Sequence, residues 1–313
     1  MFPFVTLNNK QNIPLLGLGT WLSTNTTGTR AVETAIDVGY RLIDTASAYV
    51  NETEIGIAIA NKINEGVVSR DDLFVTTKLW ITYHTAADVP FGMKQSLDKL
   101  GLDYVDLYLM HYPMSFVRTT DIPEIEAPDD EHDDTPFTET WKYMERLVDE
   151  GYTKSIGISN FNSQQIDELL DVADIKPVLN QVECHPYLTQ EKLQPFCENR
   201  GILVEGYSPL GSPGRPWAKP NEPVLMEDPL LEKLANKYDK TVAQMLIKWQ
   251  VQRGIICIPK SVTPSRIMEN ADIFDFMIDT HDMNKIFLLD RNFRYCLEER
   301  FKSHKYYPFH IEY

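Results

Sequence analysis

Eight short apolar runs, each followed by a longer amphipathic segment, constrain this chain more than any other feature. The runs cover residues 15–18, 41–44, 73–78, 105–110, 155–159, 178–183, 203–207 and 255–258. Each is nearly continuous in apolar character, as expected of strands buried on both faces. The segments between them carry helical spacing. Helices are predicted over 29–38, 52–65, 86–100 and 139–150, each stopped by a glycine: Gly39, Gly66, Gly101 and Gly151. Further helices are predicted over 163–172 with a serine cap, 189–199 ending near Gly201, 228–237, 241–252, and 264–270 with Thr263 as cap and Pro264 in its first turn.

Strand then helix, eight times over, leaves a closed barrel or a doubly wound open sheet. An open-sheet nucleotide binder usually carries G-x-G-x-x-G after its first strand. Here that strand leads into Gly17-Leu18-Gly19-Thr20-Trp21, and no such fingerprint occurs in the chain. The count of eight favours a single (β/α)8 TIM barrel, an α/β fold in one domain over residues 1–313. An N-terminal hairpin is expected to plug its bottom, with strands over 4–7 and 10–13 and a turn at Asn8-Asn9. Three long irregular segments, 112–138, 209–227 and 293–313, are expected to cap the C-terminal face. The first carries acidic groups, Asp129-Asp130-Glu131 and Asp133-Asp134, and reads as a solvated loop.

Charge narrows the partners. With 30 basic and 46 acidic residues the net charge is −16, which repels a polyanion such as nucleic acid over most of the surface. An anionic ligand must therefore find a local basic pocket. The four cysteines, Cys184, Cys197, Cys257 and Cys296, form no CxxC and have no histidine at zinc spacing, so free thiols and no metal are expected. The start Met1-Phe2-Pro3-Phe4 does not read as a signal peptide, and no apolar stretch has membrane-spanning length. A cytoplasmic protein without membrane partners is the expectation.

In such a barrel, chemistry is carried at the C-terminal ends of the strands. Those ends read Asp44 with Tyr49 in the following loop, Lys78, His111, Ser159-Asn160, Gln181 with Glu183, Tyr207-Ser208, and Lys260-Ser261. Polar groups gather there repeatedly, which a purely structural barrel does not require. A phenol with an ordinary pKa of about 10 is a poor acid at neutral pH. A lysine ammonium beside it favours the phenolate and lowers that value. An aspartate behind the lysine lets it be buried, and a histidine across the pocket can orient a carbonyl oxygen. This equipment suits protonation of an alkoxide as hydride reaches carbon.

The residues at these positions resemble the aldo-keto reductases, in particular the aldose and aldehyde reductase branch. The resemblance is carried by Gly17-Leu-Gly-Thr-Trp21, Gly39-Tyr-Arg-Leu-Ile-Asp-Thr-Ala46, Thr77-Lys-Leu-Trp80 and Asp103-Tyr-Val-Asp-Leu-Tyr-Leu-Met-His111. It continues through Gly157-Ile-Ser-Asn-Phe161, Asn180-Gln-Val-Glu-Cys-His-Pro-Tyr187, Tyr207-Ser-Pro-Leu-Gly-Ser212, Ile258-Pro-Lys-Ser-Val-Thr-Pro264 and Ser303-His-Lys-Tyr-Tyr-Pro-Phe309.

The resemblance implies an oxidoreductase that reduces aldehydes and some ketones with NADPH. Tyr49 would be the general acid, Lys78 its partner, Asp44 the partner of Lys78, and His111 the carbonyl-orienting group. Thr20 and Trp21 would adjoin the cofactor. Ser159, Asn160 and Gln181 would hold the nicotinamide carboxamide, and Tyr207 would stack on the ring. Ser208, Leu210 and Ser212 would line the pyrophosphate. Lys260, Ser261 and Arg266 would bind the 2′-phosphate, with Asn270 near the adenine. Two cations and a hydroxyl beside a helix N-terminus also make an anion site on physical grounds. Trp21, Trp80, Tyr112, Phe116, Trp217 and Cys296 would line the substrate pocket. Tyr112 stands where aldose reductases usually carry tryptophan, and Glu298, Glu299 and Arg300 stand where they are largely apolar. Both changes bear on which carbonyl is accepted. A prostaglandin or steroid ketone reductase, or a non-enzymatic cofactor-binding protein, remain the alternatives. A monomer is what the resemblance mainly implies, and no coiled-coil heptad is present.

Overall fold

The computed structural model describes residues 2–119 and 131–313; Asp129 and Asp130 of the acidic loop lie outside them. A hairpin comes first. Strand β1 (Phe4–Thr6) runs antiparallel to β2 (Asn12–Pro14), with Val5 opposite Ile13. Its loop takes three residues rather than the expected two. Leu7 N–H donates to Gln11 O at 2.8 Å, Lys10 N–H donates to Leu7 O at 2.9 Å, and Lys10 sits at φ 72°. A left-handed third residue is the geometry of a three-residue hairpin loop, and it shortens both strands. The two asparagines of the loop anchor it under the barrel. Asn8 Nδ2 donates to Pro177 O at 2.9 Å, and Asn9 Nδ2 to Ser155 Oγ at 2.8 Å.

The barrel strands follow in unbroken order: β3 (Gly17–Gly19), β4 (Leu42–Asp44), β5 (Phe74–Leu79), β6 (Leu107–Met110), β7 (Ile156–Ser159), β8 (Leu179–Glu183), β9 (Leu203–Tyr207) and β10 (Ile256–Cys257). Every neighbouring pair is parallel. The ring closes between its first and last members through parallel bridges Leu16–Cys257 and Gly19–Lys260. The eight-stranded TIM barrel expected from the sequence is therefore present.

Helices α1 (Asn25–Val38), α2 (Glu52–Asn64), α3 (Asp88–Leu100), α4 (Phe137–Asp149), α5 (Ser163–Leu170) and α6 (Leu193–Glu198) alternate with the strands. Then come α7 (Pro229–Tyr238), α8 (Val242–Gln252), α9 (Pro264–Ala271) and α10 (Thr280–Phe287). Gly39 at φ 114° and Gly101 at φ 63° end α1 and α3 in the left-handed region, where a side chain would be strained. The cap of α5 is Asn162, one residue before the expected serine, and its side chain accepts from Gln165 N–H. Helix α6 starts later than expected because Gln190 adopts φ 59° and cannot sit in a helix. Helix α10 was not anticipated; Asp279 caps it by accepting from Asp282 N–H.

The barrel floor is apolar. Leu7 and Ile13 of the hairpin pack with Leu42, Phe74, Leu107 and Leu109 from the strand starts. Among the described residues no helix is long and apolar enough to cross a membrane, and no group of three or more His, Cys, Asp or Glu could hold a metal ion.

Candidate active site

The strand ends converge as the register dictates. Gly19 of β3 pairs with Asp44, Asp44 with Thr76, and Lys78 with Leu109, so Asp44 and Lys78 come to the same mouth on adjoining strands. Lys78 is fully buried. Its ammonium donates to both oxygens of Asp44 at 2.8 Å, to Thr45 O at 2.8 Å and to Tyr49 OH at 3.2 Å. Burial alone would discharge Lys78, but Asp44 first and Tyr49 second more than offset it and hold its pKa above the ordinary value.

Tyr49 rides on a single 3-10 turn, Ser47–Tyr49, that ends at Val50 with φ 53°. Two anchors fix the turn. Ser47 Oγ donates to Lys78 O at 3.0 Å, and Asn51 Nδ2 donates to Thr20 O at 2.8 Å and Ser23 O at 3.0 Å. The phenol departs from expectation in one respect. Burial pushes its pKa up to about 12; Lys78 pulls it down, but Asp44 behind Lys78 pushes it up again. The lysine acts in the expected direction without winning, so Tyr49 is a neutral phenol at physiological pH. That is the form a proton donor needs.

His111 lies across the pocket, with its ring centroid 5.9 Å from that of Tyr49 and 5.2 Å from that of Trp80. Tyr112 stacks on it at 5.3 Å. Burial, then the Lys78 charge, hold the imidazole well below its usual pKa, so it is uncharged. Its Nδ1 and the Nε1 of Trp80 are buried without a hydrogen-bond partner among the described residues. Buried polar atoms of this kind usually find one.

The remaining predicted residues divide into those the fold brings to this mouth and those it sets around it. Ser159, Asn160 and Gln181 are buried at adjoining ends of β7 and β8. Asn160 adopts φ 61°; its Nδ2 donates to His111 O at 3.0 Å and its Oδ1 accepts from Tyr207 OH at 2.9 Å. Ser159 Oγ donates to Gln181 O at 2.9 Å, and Thr20 Oγ1 to Asp44 O at 2.9 Å. Ser208 and Ser212 have left-handed backbones, φ 51° and 46°, in the loop after β9, and Leu210 packs into the core beneath them. Trp217 in that loop lies 5.5 Å from Trp21 and donates Nε1 to Tyr295 O at 2.8 Å. Cys296 Sγ stands 3.9 Å from Ser208 Oγ. The ring of Phe116 packs against Phe301 and His304 of the C-terminal segment. Glu298 is half-buried and accepts from Arg300 at 3.1 Å; burial first and Glu298 second raise the Tyr112 pKa, and Glu299 is exposed.

At the last strand, Lys260 is half-buried and has no carboxylate partner among the described residues; burial lowers its pKa. Ser261 precedes α9, Arg266 is exposed on the first turn of that helix, and Asn270 is buried further along it. Thr263 occupies the cap position of α9, yet its hydroxyl makes no capping bond. An unpaired ammonium beside an uncapped helix start fits a phosphate. The residues at this mouth thus suit a phosphorylated dinucleotide: an anion site at one side and a ring of buried amides and hydroxyls at the other.

Sequence reading placed Glu183 at its strand end without a role and passed over Glu205. Glu183 accepts Tyr295 N–H at 2.7 Å and Cys296 N–H at 3.0 Å, tying the C-terminal segment to the barrel. Glu205 is fully buried on β9, its Oε2 2.8 Å from Gln181 Nε2. The signal for Glu205 was an acid inside an otherwise apolar strand.

Comparison with known proteins agrees with this geometry. The model of the aldo/keto reductase family matches residues 15–290. Aldo-keto reductase family 1 member A1 of Gallus gallus is 48% identical over 99% of this chain and 98% of its own length. The Homo sapiens protein of the same name is 46% identical, with the same coverage. A crystal structure of a Bombyx mori aldo-keto reductase in complex with NADP superposes with a TM-score of 0.89, at 40% identity, over 98% of this chain and 99% of the other. Strand-end chemistry, barrel and full-length similarity converge: the chain belongs to the aldo/keto reductase family.

Proposed function

We propose that this protein is an NADP-dependent oxidoreductase of the aldehyde reductase type, acting on aldehydes and some ketones. The observation that carries the reading is the Asp44–Lys78–Tyr49 chain, a buried ammonium 3.2 Å from a neutral phenol at the barrel mouth. The likeness to a structure holding NADP supports the choice of cofactor. Ser159, Asn160 and Gln181 bind the carboxamide, Tyr207 stacks on the ring, Ser208, Leu210 and Ser212 adjoin the pyrophosphate, and Thr20 and Trp21 border the cofactor. Lys260, Ser261 and Arg266 take the 2′-phosphate, and Asn270 the adenine side.

When bound, the nicotinamide supplies the hydride. The protein handles the proton. Neutral His111 donates a hydrogen bond to the carbonyl oxygen and orients it. Tyr49 transfers its hydroxyl proton to that oxygen as negative charge develops there, and the phenolate left behind is stabilised by the Lys78 ammonium. A phenol held near about 12 is still a far stronger acid than an alcohol, so the transfer runs downhill. Asp44 keeps Lys78 charged in a site that would otherwise discharge it. Trp21, Trp80, Tyr112, Phe116, Trp217 and Cys296 wall the substrate pocket.

In this reading the protein acts as one domain and as a monomer in the cytoplasm. A panel of aldehydes and ketones, run with NADPH and NADH side by side, tests the assignment. Loss of NADPH absorbance with an aromatic aldehyde is expected, with NADH much weaker. Tight nucleotide binding without turnover on any carbonyl would overturn it.

A further inference from the structure

Glu205 has no task in the scheme above, yet it occupies the barrel's centre. It lies two residues before Tyr207, so both side chains leave β9 on the same side. Opposite it in the register is Gln181. The Nε2 of Gln181 lies 2.8 Å from Glu205 Oε2 and 2.8 Å from Asp44 Oδ1. Both amide hydrogens are therefore used on carboxyl groups, and Gln181 is left to meet a ligand with its carbonyl. The other oxygen of Glu205, Oε1, is buried without a partner among the described residues.

The charges around Glu205 do not balance if it is ionised. Asp44 on β4 is negative and Lys78 on β5 is positive, and the two already pair with each other. Cys257 on β10 is neutral, since burial pushes its thiol far up, and Tyr49 beyond Lys78 is a neutral phenol. A second carboxylate would thus be an enclosed, uncompensated charge. Burial first, and the Asp44 charge second, push Glu205 up to about 8, so it is mostly protonated at neutral pH.

We infer that Glu205 is a proton-releasing counter-charge for the oxidised cofactor: it gives up its proton when the cationic ring of NADP+ is bound and keeps it beside the neutral ring of NADPH. The inference rests on the reading that the nicotinamide meets Gln181 and Tyr207. In this step the carboxyl O–H bond breaks and the proton leaves to solvent. No electrons are exchanged. With the oxidised cofactor bound, the carboxylate would act on the ring cation through Gln181, and opposite charges favour the ionised form. Glu205 is a positioning residue by this account, since it acts on the cofactor through Gln181.

The sign follows from linkage. Below a pH of about 8, NADP+ binding must displace a proton from Glu205; above it, the carboxylate is already formed. NADP+ affinity therefore rises with pH, and NADPH affinity does not rise with it. The phosphates are common to both nucleotides, so the ratio of the two Kd values isolates the ring.

The test measures Kd for NADP+ and NADPH by tryptophan fluorescence quenching between about pH 6 and about pH 9. Calorimetry near pH 7.5 in buffers of different ionisation enthalpy counts the protons released. In the wild type, Kd(NADP+)/Kd(NADPH) should fall about tenfold across that range, the effect of roughly one pKa unit of differential interaction. NADP+ should release more protons than NADPH. Glu205→Gln should flatten the ratio and abolish the excess release; Glu205→Thr, also neutral, gives a second reading if the first variant does not fold. A flat wild-type ratio, or a slope that survives in the neutral variants, overturns the role of Glu205 while leaving the dinucleotide reading intact. Failure of both nucleotides to bind overturns that reading and this inference together.

Discussion

The two ends of the barrel are built from the same strands and are equally buried, yet they are chemically opposite. Leu42 at the floor and Asp44 at the mouth are two residues apart on β4, and neither is more than 2% exposed. Along β5, Phe74 sits at the floor and Lys78 at the mouth. Each floor side chain contributes about 1.5–3 kcal/mol by leaving water. A buried ion pair such as Asp44–Lys78 at best breaks even against desolvation. Stability therefore comes from the floor, and the mouth is a charged assembly that the rest of the fold holds in place.

That contrast can be broken or sharpened by mutation. The largest effect should come from Tyr49→Phe, which removes the proton donor and no packing. Turnover should fall about 10³-fold, with nucleotide Kd and Tm close to wild type; steady-state kinetics beside fluorescence titration would expose a misassigned acid. Next, Lys78→Met leaves Asp44 uncompensated. Urea unfolding should register a loss of about 3–5 kcal/mol, and turnover should vanish as well. Adding Asp44→Asn to Lys78→Met should restore much of the stability and none of the activity, which separates the two roles of the pair. At the floor, Ile13→Ala should cost about 2–5 kcal/mol while kcat stays unchanged. A drop in kcat there would mean that the ends are coupled. The smallest effect is at Val50, a β-branched residue held at φ 53° and exposed beside Tyr49. Val50→Asn should stabilise by about 1 kcal/mol, read as a rise in Tm, with activity retained.

How much of this was legible in the sequence follows the same division. Strands buried on both faces write themselves as apolar runs, so all eight were readable, and parallel order followed from their alternation with helices. Elements decided by one backbone angle were not. The left-handed Lys10 lengthened the hairpin loop, and the left-handed Gln190 delayed α6. Helix α10, eight residues with a modest apolar stripe, was hidden because its start depends on the Asp279 cap.

At the mouth, residues at strand ends were found because position in a barrel carries meaning. Glu205 was not, because it lies within a strand and its importance depends on Gln181 and Asp44 from strands distant in sequence. The direction of the Tyr49 shift was equally hidden. Lysine next to phenol reads as a lowered pKa, but burial and the charge behind the lysine are properties of the assembled site.

The grip of Glu183 on the C-terminal segment has a consequence for how this pocket can change. The carboxylate holds peptide N–H groups at positions 295 and 296, and every amino acid except proline supplies one. Side chains on that wall can therefore be exchanged without detaching it from the barrel. New carbonyl preferences are reachable by substituting the tail while its docking point stays constant.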